Sequence, residues 1–290
     1  MTTPPTIVTP TTLCQWAAKI LYTEDPIEKV KLTNEAGEWW RNKENLPIGR
    51  EESIPDIPPR PSNFDIVQPG RAPRRGKAGS LASRITILHA LANVEQWAID
   101  TAWDNIARFG KIEENSNNPP FPKGYYDDFV KMALDEAKHF NWLIQRLDAL
   151  DAKFGDIPIH AGIWESAAET KHLMPARMAI VHMVHEARGL DVNPSTINNF
   201  KKHGDIESST MLEKIYEDEI THVEIGTRWF KYYFKENKID PNAKYFHAFV
   251  SKHFFGTLKP PFNYPARDQA GLGREFYEPM AKIKESPFVP

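Results

Sequence analysis

The chain has 290 residues, with 36 lysines and arginines against 39 aspartates and glutamates. Because this balance leaves no strong overall field, it argues against a nucleic acid or an anionic membrane surface as the main partner. The single cysteine, Cys14, excludes an intramolecular disulfide and fits a reducing compartment. The sequence has neither an apolar run of membrane-spanning length nor a signal-peptide pattern, so we expect a cytoplasmic protein with no membrane partner.

The apolar residues recur at helical spacing and predict an all-α protein. Two short helices are predicted over 11–24 and 26–43, and a proline-rich segment, 54–76, then predicts an extended strap. Four longer helices are predicted over 80–109, 125–151, 164–190 and 206–236, and Pro175 would kink the third of them. A shorter helix over 241–255 and an irregular, proline-broken tail follow.

We divide the predicted fold into three parts. Residues 1–79 hold the N-terminal helices and the strap, and residues 80–256 hold a four-helix bundle with the short helix. Residues 257–290 form the irregular C-terminal tail.

Two of the long helices carry the same motif, D-E-x-x-H, at Asp135–His139 and Asp218–His222. Residues three apart on an α-helix share a face, so each motif directs a carboxylate and an imidazole toward the same point. The other two long helices each place one glutamate, Glu95 or Glu186, in the apolar phase. This order of glutamates and histidines is typical of a di-metal carboxylate centre in a four-helix bundle.

Each of the four glutamates lies in the middle of an apolar stripe, which predicts that it faces the core. A buried, ionised carboxylate is costly unless it is paired or bound to a metal. Two divalent cations would balance four glutamates, while two neutral histidines complete the ligand set. The predicted metal ligands are Glu95, Glu136, His139, Glu186, Glu219 and His222.

Two further histidines need an interpretation. Glu169 and His172 form a third E-x-x-H, but it lies far from Glu186 along the helix and no apolar stripe surrounds it. We therefore interpret this pair as a solvated helix face. His182 lies one turn before Glu186 on the same face, where it is either an extra metal ligand or a buried, hydrogen-bonded histidine.

Several motifs carry a family resemblance: His89–Glu95, Asp135–Phe140, Glu186–Asp191, Asp218–Val223, Gly226–Phe230 and Leu258–Asn263. They are similar to a ferritin-like family of unknown function found in bacteria and fungi, within the di-iron carboxylate superfamily. The likeness runs from about residue 11 to about residue 275. It implies a ferritin-like bundle with a di-metal site at the six predicted ligands, and the chain departs from the family at His182.

The resemblance also implies roles next to the metals. In the similar bacterial multicomponent di-iron oxygenases, the aspartate before each ligand glutamate contacts the histidine of the opposite motif. Asp135 and Asp218 would take this role, and acids on the helix surface are the alternative. Tyr216 lies one turn before Glu219 on the same face. We interpret it as a hydrogen-bond donor near the metals, as a radical-forming residue or as a core tyrosine.

Three functions compete. Oxygen and imidazole ligands suit iron or a manganese–iron pair, with zinc still open. This set favours an oxidoreductase that uses O₂ to hydroxylate or oxidise a small organic substrate, helped by an electron donor. The alternatives are a ferroxidase or iron-handling protein, and a tRNA-modifying hydroxylase, which has support only from a basic stretch. A homodimer is compatible with all three. The basic stretch comprises Arg71, Arg74, Arg75, Lys77 and Arg84.

Overall fold

The computed structural model describes residues 9–42, 47–50, 53–71, 76–113 and 120–283. Its secondary structure is helical, with a single isolated parallel bridge between Ile66 and Ile159 in the described ranges. The all-α prediction is confirmed. None of the helices in these ranges combines the length and the apolar character that crossing a lipid bilayer would need.

The chain forms two compact units, Met1–Trp164 and Glu165–Pro290. The first unit contains α1 (Leu13–Tyr22), α2 (Pro26–Arg41), α3 (Leu81–Phe109) and α4 (Lys123–Asp148). The next helix, α5 (Gly162–Glu169), crosses the boundary. The second unit continues with α6 (Met174–Arg177), a π-helix (Met178–Glu186), α7 (Ala187–Lys202) and α8 (Ile206–Glu236). It ends with α9 (Ala243–His253), α10 (Tyr264–Gln269) and α11 (Arg274–Ile283).

In the first unit, α3 and α4 form an antiparallel pair. The Tyr125 hydroxyl donates to the Asn105 carbonyl at one end, whereas Glu95 meets His139 nearer the middle. Residues later in α4 therefore contact residues earlier in α3. Helix α1 packs on α3, and helix α2 packs on α4. The two N-terminal helices therefore cover part of this pair.

The proline-rich segment crosses α3 as the predicted extended strap, in the part that is described. Arg60 reaches from it to Asp100, at 2.5 Å, and its guanidinium lies 3.6 Å above the ring of Trp97. The strap also meets the segment after α4, because the amide of Val67 donates to the Ile159 carbonyl. Two members of the predicted basic stretch, Arg74 and Arg75, lie outside the described residues.

In the second unit, α8 packs against both the π-helix and α7. In each unit, the two segments that carry predicted ligands therefore run side by side. The predicted three-part division of the chain and the single ferritin-like bundle stay predictions.

The predicted third helix, 164–190, is wrong in its bounds. The chain leaves helix at Thr170–Leu173, and a continuous helical segment then runs from Met174 to Lys202. Pro175 begins this segment instead of kinking it, because a proline in the first turn removes only an amide that has no helical partner.

This segment also continues through Pro194, where an amide donor is missing. The carbonyl that this amide would have bonded, on Leu190, instead accepts from the Asn263 side chain at 3.0 Å. The interrupted helix is thus repaired by a residue distant in sequence.

The prediction of an irregular C-terminal tail is also wrong, since α10 and α11 lie within it. Asn263 caps α10 and Pro265 occupies its first turn, where proline is compatible with helix. Pro279 lies inside α11. Pro265 therefore lies where a helix tolerates proline, whereas Pro279 removes an amide donor from within α11.

Candidate metal centre

Three predicted ligands come together in the first unit. Glu95 lies on α3, and Glu136 and His139 lie on α4. Nδ1 of His139 is 3.4 Å from Oε2 of Glu95 and 3.7 Å from Oε2 of Glu136. One ligand atom from each of these side chains lies within 4.8 Å of the others. This buried group could hold a metal ion.

The electrostatics of this cluster favour a bound cation. Burial, followed by the charge of Glu136 and hydrogen bonding with it, raises the pKa of Glu95 from 4.5 to about 8. The nearby His139 acts in the opposite direction. Without a cation, two carboxyl groups compete for one buried volume, so one is pushed toward its protonated form. A divalent cation would remove this repulsion, so the residues fit a metal.

The second unit carries a matching pair on α8. Glu219 and His222 are both buried, and Nδ1 of His222 lies 3.6 Å from Oε2 of Glu219. The corresponding distance in the first motif, between His139 and Glu136, is 3.7 Å. The repeated motif therefore has the same local geometry on α4 and on α8.

Glu186, the remaining predicted ligand, is the last residue of the π-helix. Nδ1 of His182 lies 2.8 Å from its Oε1 atom. Its Oε2 atom is buried and makes no hydrogen bond to any described residue. His182 is itself fully buried, which agrees with a hydrogen-bonded histidine and leaves its role as an extra ligand a prediction.

The π-helix was not predicted. π-Helices are rare and occur mostly as single-turn bulges within α-helices, which are frequent at functional sites. The chain here keeps this geometry for nine residues, up to and including Glu186. A glycine on α8 makes close packing against it possible, because a Cβ atom added at Gly226 would lie 2.2 Å from Cβ of His182. In the sequence, the signal for this close packing was the glycine that lies seven residues after Glu219 on the same helix face.

The predicted neighbours of the ligands make contacts of other kinds. Asp135 pairs with Lys131 at 2.6 Å and with Lys138 at 2.8 Å, and its side chain is mostly buried. The backbone carbonyl of Asp218 accepts from the Thr221 hydroxyl. Contacts from these aspartates to the opposite histidines stay predictions.

Tyr216 lies on α8, one turn before Glu219. Its hydroxyl accepts a hydrogen bond from the Asn263 side chain at 2.8 Å, and burial raises its pKa. This contact points toward the loop before α10. A radical or donor role for Tyr216 at the metals stays a prediction.

The third E-x-x-H behaves as a surface feature. Glu169 ends α5, and His172 lies beyond that helix and is exposed. The two residues therefore do not share a helix face. Oε1 of Glu169 instead lies 3.1 Å from Nδ1 of His253, and the Glu169 side chain is substantially exposed.

Comparison with known proteins agrees with the sequence resemblance at the family level. Residues 22–278 match the family described as "Protein of unknown function (DUF455)". A protein of Haemophilus influenzae, named an uncharacterized protein, is 32% identical over 274 residues, which is 92% of each chain. No solved structure matches the chain. The chain belongs to the DUF455 family.

Proposed function

We propose that this member of the DUF455 family is a di-metal oxidoreductase that uses O₂ to hydroxylate or oxidise a small organic substrate. Iron, or a manganese–iron pair, is the proposed metal. The observation that carries the proposal is the buried cluster of Glu95, Glu136 and His139, in which the pKa of Glu95 is raised to about 8. Structural carboxylates are rarely placed so close together in a core without a cation.

The duplicated motif supports two metal ions over one. Glu95, Glu136 and His139 would be the ligands from the first unit, and Glu186, Glu219 and His222 those from the second. Four carboxylates and two imidazoles match the preferences of iron and manganese. Their four negative charges balance two divalent cations.

Bound iron would supply redox chemistry that amino-acid side chains lack. The residues of the chain would bind and orient the metals and keep water away. Glu95 would lose its proton on binding, because its raised pKa reflects a site that favours the neutral form until a cation arrives. His182 would hold Oε1 of Glu186 and so orient its carboxylate.

The apolar surroundings serve the same function. Met132, Phe140 and Leu143 are buried on the face of α4 that carries Glu136 and His139. Such a lining excludes water and strengthens the electrostatic interactions of the site. We also propose that an electron donor reduces the metals and that the protein is located in the cytoplasm.

The test measures O₂ consumption by anaerobically reduced, iron-loaded protein. We expect uptake that rises further with one fraction of a metabolite extract, and that is lost in a Glu136→Gln/Glu219→Gln variant. Continued oxidation of excess Fe(II) with no effect of any organic fraction would instead indicate iron handling. Fully iron-loaded protein that consumes no O₂ would contradict the proposal.

A further inference from the structure

A pocket in the second unit is separate from the predicted metal ligands. It lies where the end of the π-helix and the start of α7 meet the segment 254–263 and α10. The pocket has about 380 Å³ of empty space, part of it open to solvent. Two of the motifs noted in the sequence, Glu186–Asp191 and Leu258–Asn263, supply much of its lining.

Arg267 is the most unusual residue in this pocket because it is almost completely buried. Its Nε and Nη2 atoms donate to Asp191 at 2.9 and 2.7 Å, and Nη2 also donates to the Ala187 carbonyl. Its Nη1 atom is buried and makes no hydrogen bond within the described part of the chain. A buried guanidinium donor without an acceptor is costly, so a ligand oxygen that came within reach of Nη1 would stabilise this group.

Two further cationic residues belong to the lining of this pocket. Arg188 and Lys259 line the same pocket, and Nη1 of Arg188 donates to the Lys259 carbonyl at 2.9 Å. Among the described residues that line the pocket, Asp191 is the only one with a carboxylate, and Arg267 already engages it at both oxygens. The lining is therefore positively charged overall, which favours an anion.

The rest of the lining is largely apolar and aromatic. Phe254, Leu258 and Phe262 contribute to it, and the guanidinium of Arg267 lies 5.0 Å from the ring centre of Phe262. Such a surface accepts the hydrocarbon or aromatic part of an organic ligand. Arginine recognises carboxylate and phosphate oxygens through the same planar donors.

We propose that this pocket binds a small organic acid, with its carboxylate or phosphate oxygens on Arg267 and Arg188 and its apolar part against Phe254, Leu258 and Phe262. This site is separate from the proposed metal centre and does not depend on metal chemistry. It gives the second unit a ligand that the oxidoreductase proposal does not specify.

The experiment titrates the full-length protein, as purified, with sodium benzoate and with sodium phosphate, and follows heat release and thermal stability. Benzamide, which lacks the charge, and sodium chloride at equal ionic strength are the ligand controls. We expect saturable binding of benzoate or phosphate in the millimolar range or tighter, and none of benzamide. Binding of only one of the two anions assigns the ligand as a carboxylic acid or as a phosphate compound.

Two variants locate the binding. Arg188→Gln removes a surface cation and should weaken anion binding by about tenfold. Leu258→Trp fills the apolar side and should block benzoate even if Arg188→Gln folds poorly. Arg228→Gln is the matched control, because its side chain is 45% exposed, as is that of Arg188, and should leave binding unchanged.

The Glu136→Gln/Glu219→Gln variant separates this proposal from the metal centre, since anion binding should persist in it. Equal binding to benzamide and benzoate, or equal binding by Arg188→Gln and the unaltered protein, would overturn the proposal. Absence of saturable binding for both anions would overturn it as well.

Discussion

Nδ1 of His182 lies 2.8 Å from Oε1 of Glu186, four residues further along the π-helix. This contact leaves the other carboxylate oxygen, Oε2, buried and without a hydrogen bond to any described residue. The spacing of four residues had already placed the two side chains on one helix face. The contact therefore holds the Glu186 carboxylate through one oxygen and leaves the other available to a metal ion.

The close approach of α8 to this π-helix predicts that Gly226→Ala is destabilising. The added methyl group would lie 2.2 Å from Cβ of His182, so the two segments would have to move apart. We expect a loss of roughly 1–3 kcal/mol in the free energy of unfolding, measured by urea denaturation. In the control, Gly189→Ala, the nearest atom that the new Cβ would meet is 3.8 Å away, so this variant should be neutral or slightly stabilising. Equal effects of the two substitutions would contradict the packing described.

Glu136→Gln should change stability in opposite directions with and without metal. In metal-free protein it removes one of two buried carboxyl groups and relieves the repulsion that raises the pKa of Glu95. We therefore expect a higher melting temperature in the presence of a chelator. With saturating Fe(II) or Mn(II), the unaltered protein should be the more stable, because binding to the native state stabilises it. The melting curves of both proteins in both conditions test this, and a shift of the same sign throughout would refute it.

The sequence predicted the helices better than their connections. The apolar periodicity located α1 to α4 and α8 to within a few residues, because each buries a continuous stripe. It placed the third long helix wrongly, since a proline pattern alone does not distinguish a kink at Pro175 from a new first turn. The repair of Pro194 by Asn263 depends on a contact between distant residues, which local patterns do not contain.

The same distinction applies to the candidate site. Spacing correctly paired Glu136 with His139 and Glu219 with His222, since both pairs lie within one helix turn. It did not predict the π-helix before Glu186, because no local residue pattern specifies that geometry. It also missed the buried pair Arg267–Asp191, because the two residues are distant in sequence and only Asp191 lies within a motif noted there.

A buried ion cluster in the first unit predicts that two substitutions within it lower the stability by different amounts. Asp100 contacts both Lys29 and Arg60, and all three side chains are almost completely buried. Asp100→Asn would leave the buried guanidinium of Arg60, and Lys29 whenever it is protonated, without an anion and should cost about 3–5 kcal/mol. Lys29→Met would leave the Arg60–Asp100 pair intact and should cost much less. Chemical denaturation of both variants checks the order, and a larger loss for Lys29→Met would be inconsistent with this arrangement.

Lys29 should also make stability depend on pH. Burial is the main reason that its pKa falls from 10.5 to about 7, since Asp100 acts in the opposite direction and Arg60 adds to the decrease. Below pH 7 both states are protonated, and the cost of the buried charge is fully present. Between the two pKa values the unfolded chain binds more protons, so the folded state gains stability as pH rises, by up to about 1.4 kcal/mol per unit.

The test is chemical denaturation of the unaltered protein and of Lys29→Met at pH 7.0 and at pH 8.5. It measures how the difference in stability between the two proteins changes with pH. The unaltered protein should gain stability relative to the variant at the higher pH. A difference between the two proteins that does not change with pH would show that Lys29 keeps its proton throughout.

The measurement that tests the central claim most directly is the metal content of the purified protein. We expect two metal ions per chain in the unaltered protein and a clear loss in the Glu136→Ala/Glu219→Ala variant. A Glu169→Ala/His172→Ala variant should retain both ions, because this third E-x-x-H is exposed and its residues do not share a helix face. Full two-metal occupancy in Glu136→Ala/Glu219→Ala would contradict the account, as would the loss of a metal ion in Glu169→Ala/His172→Ala.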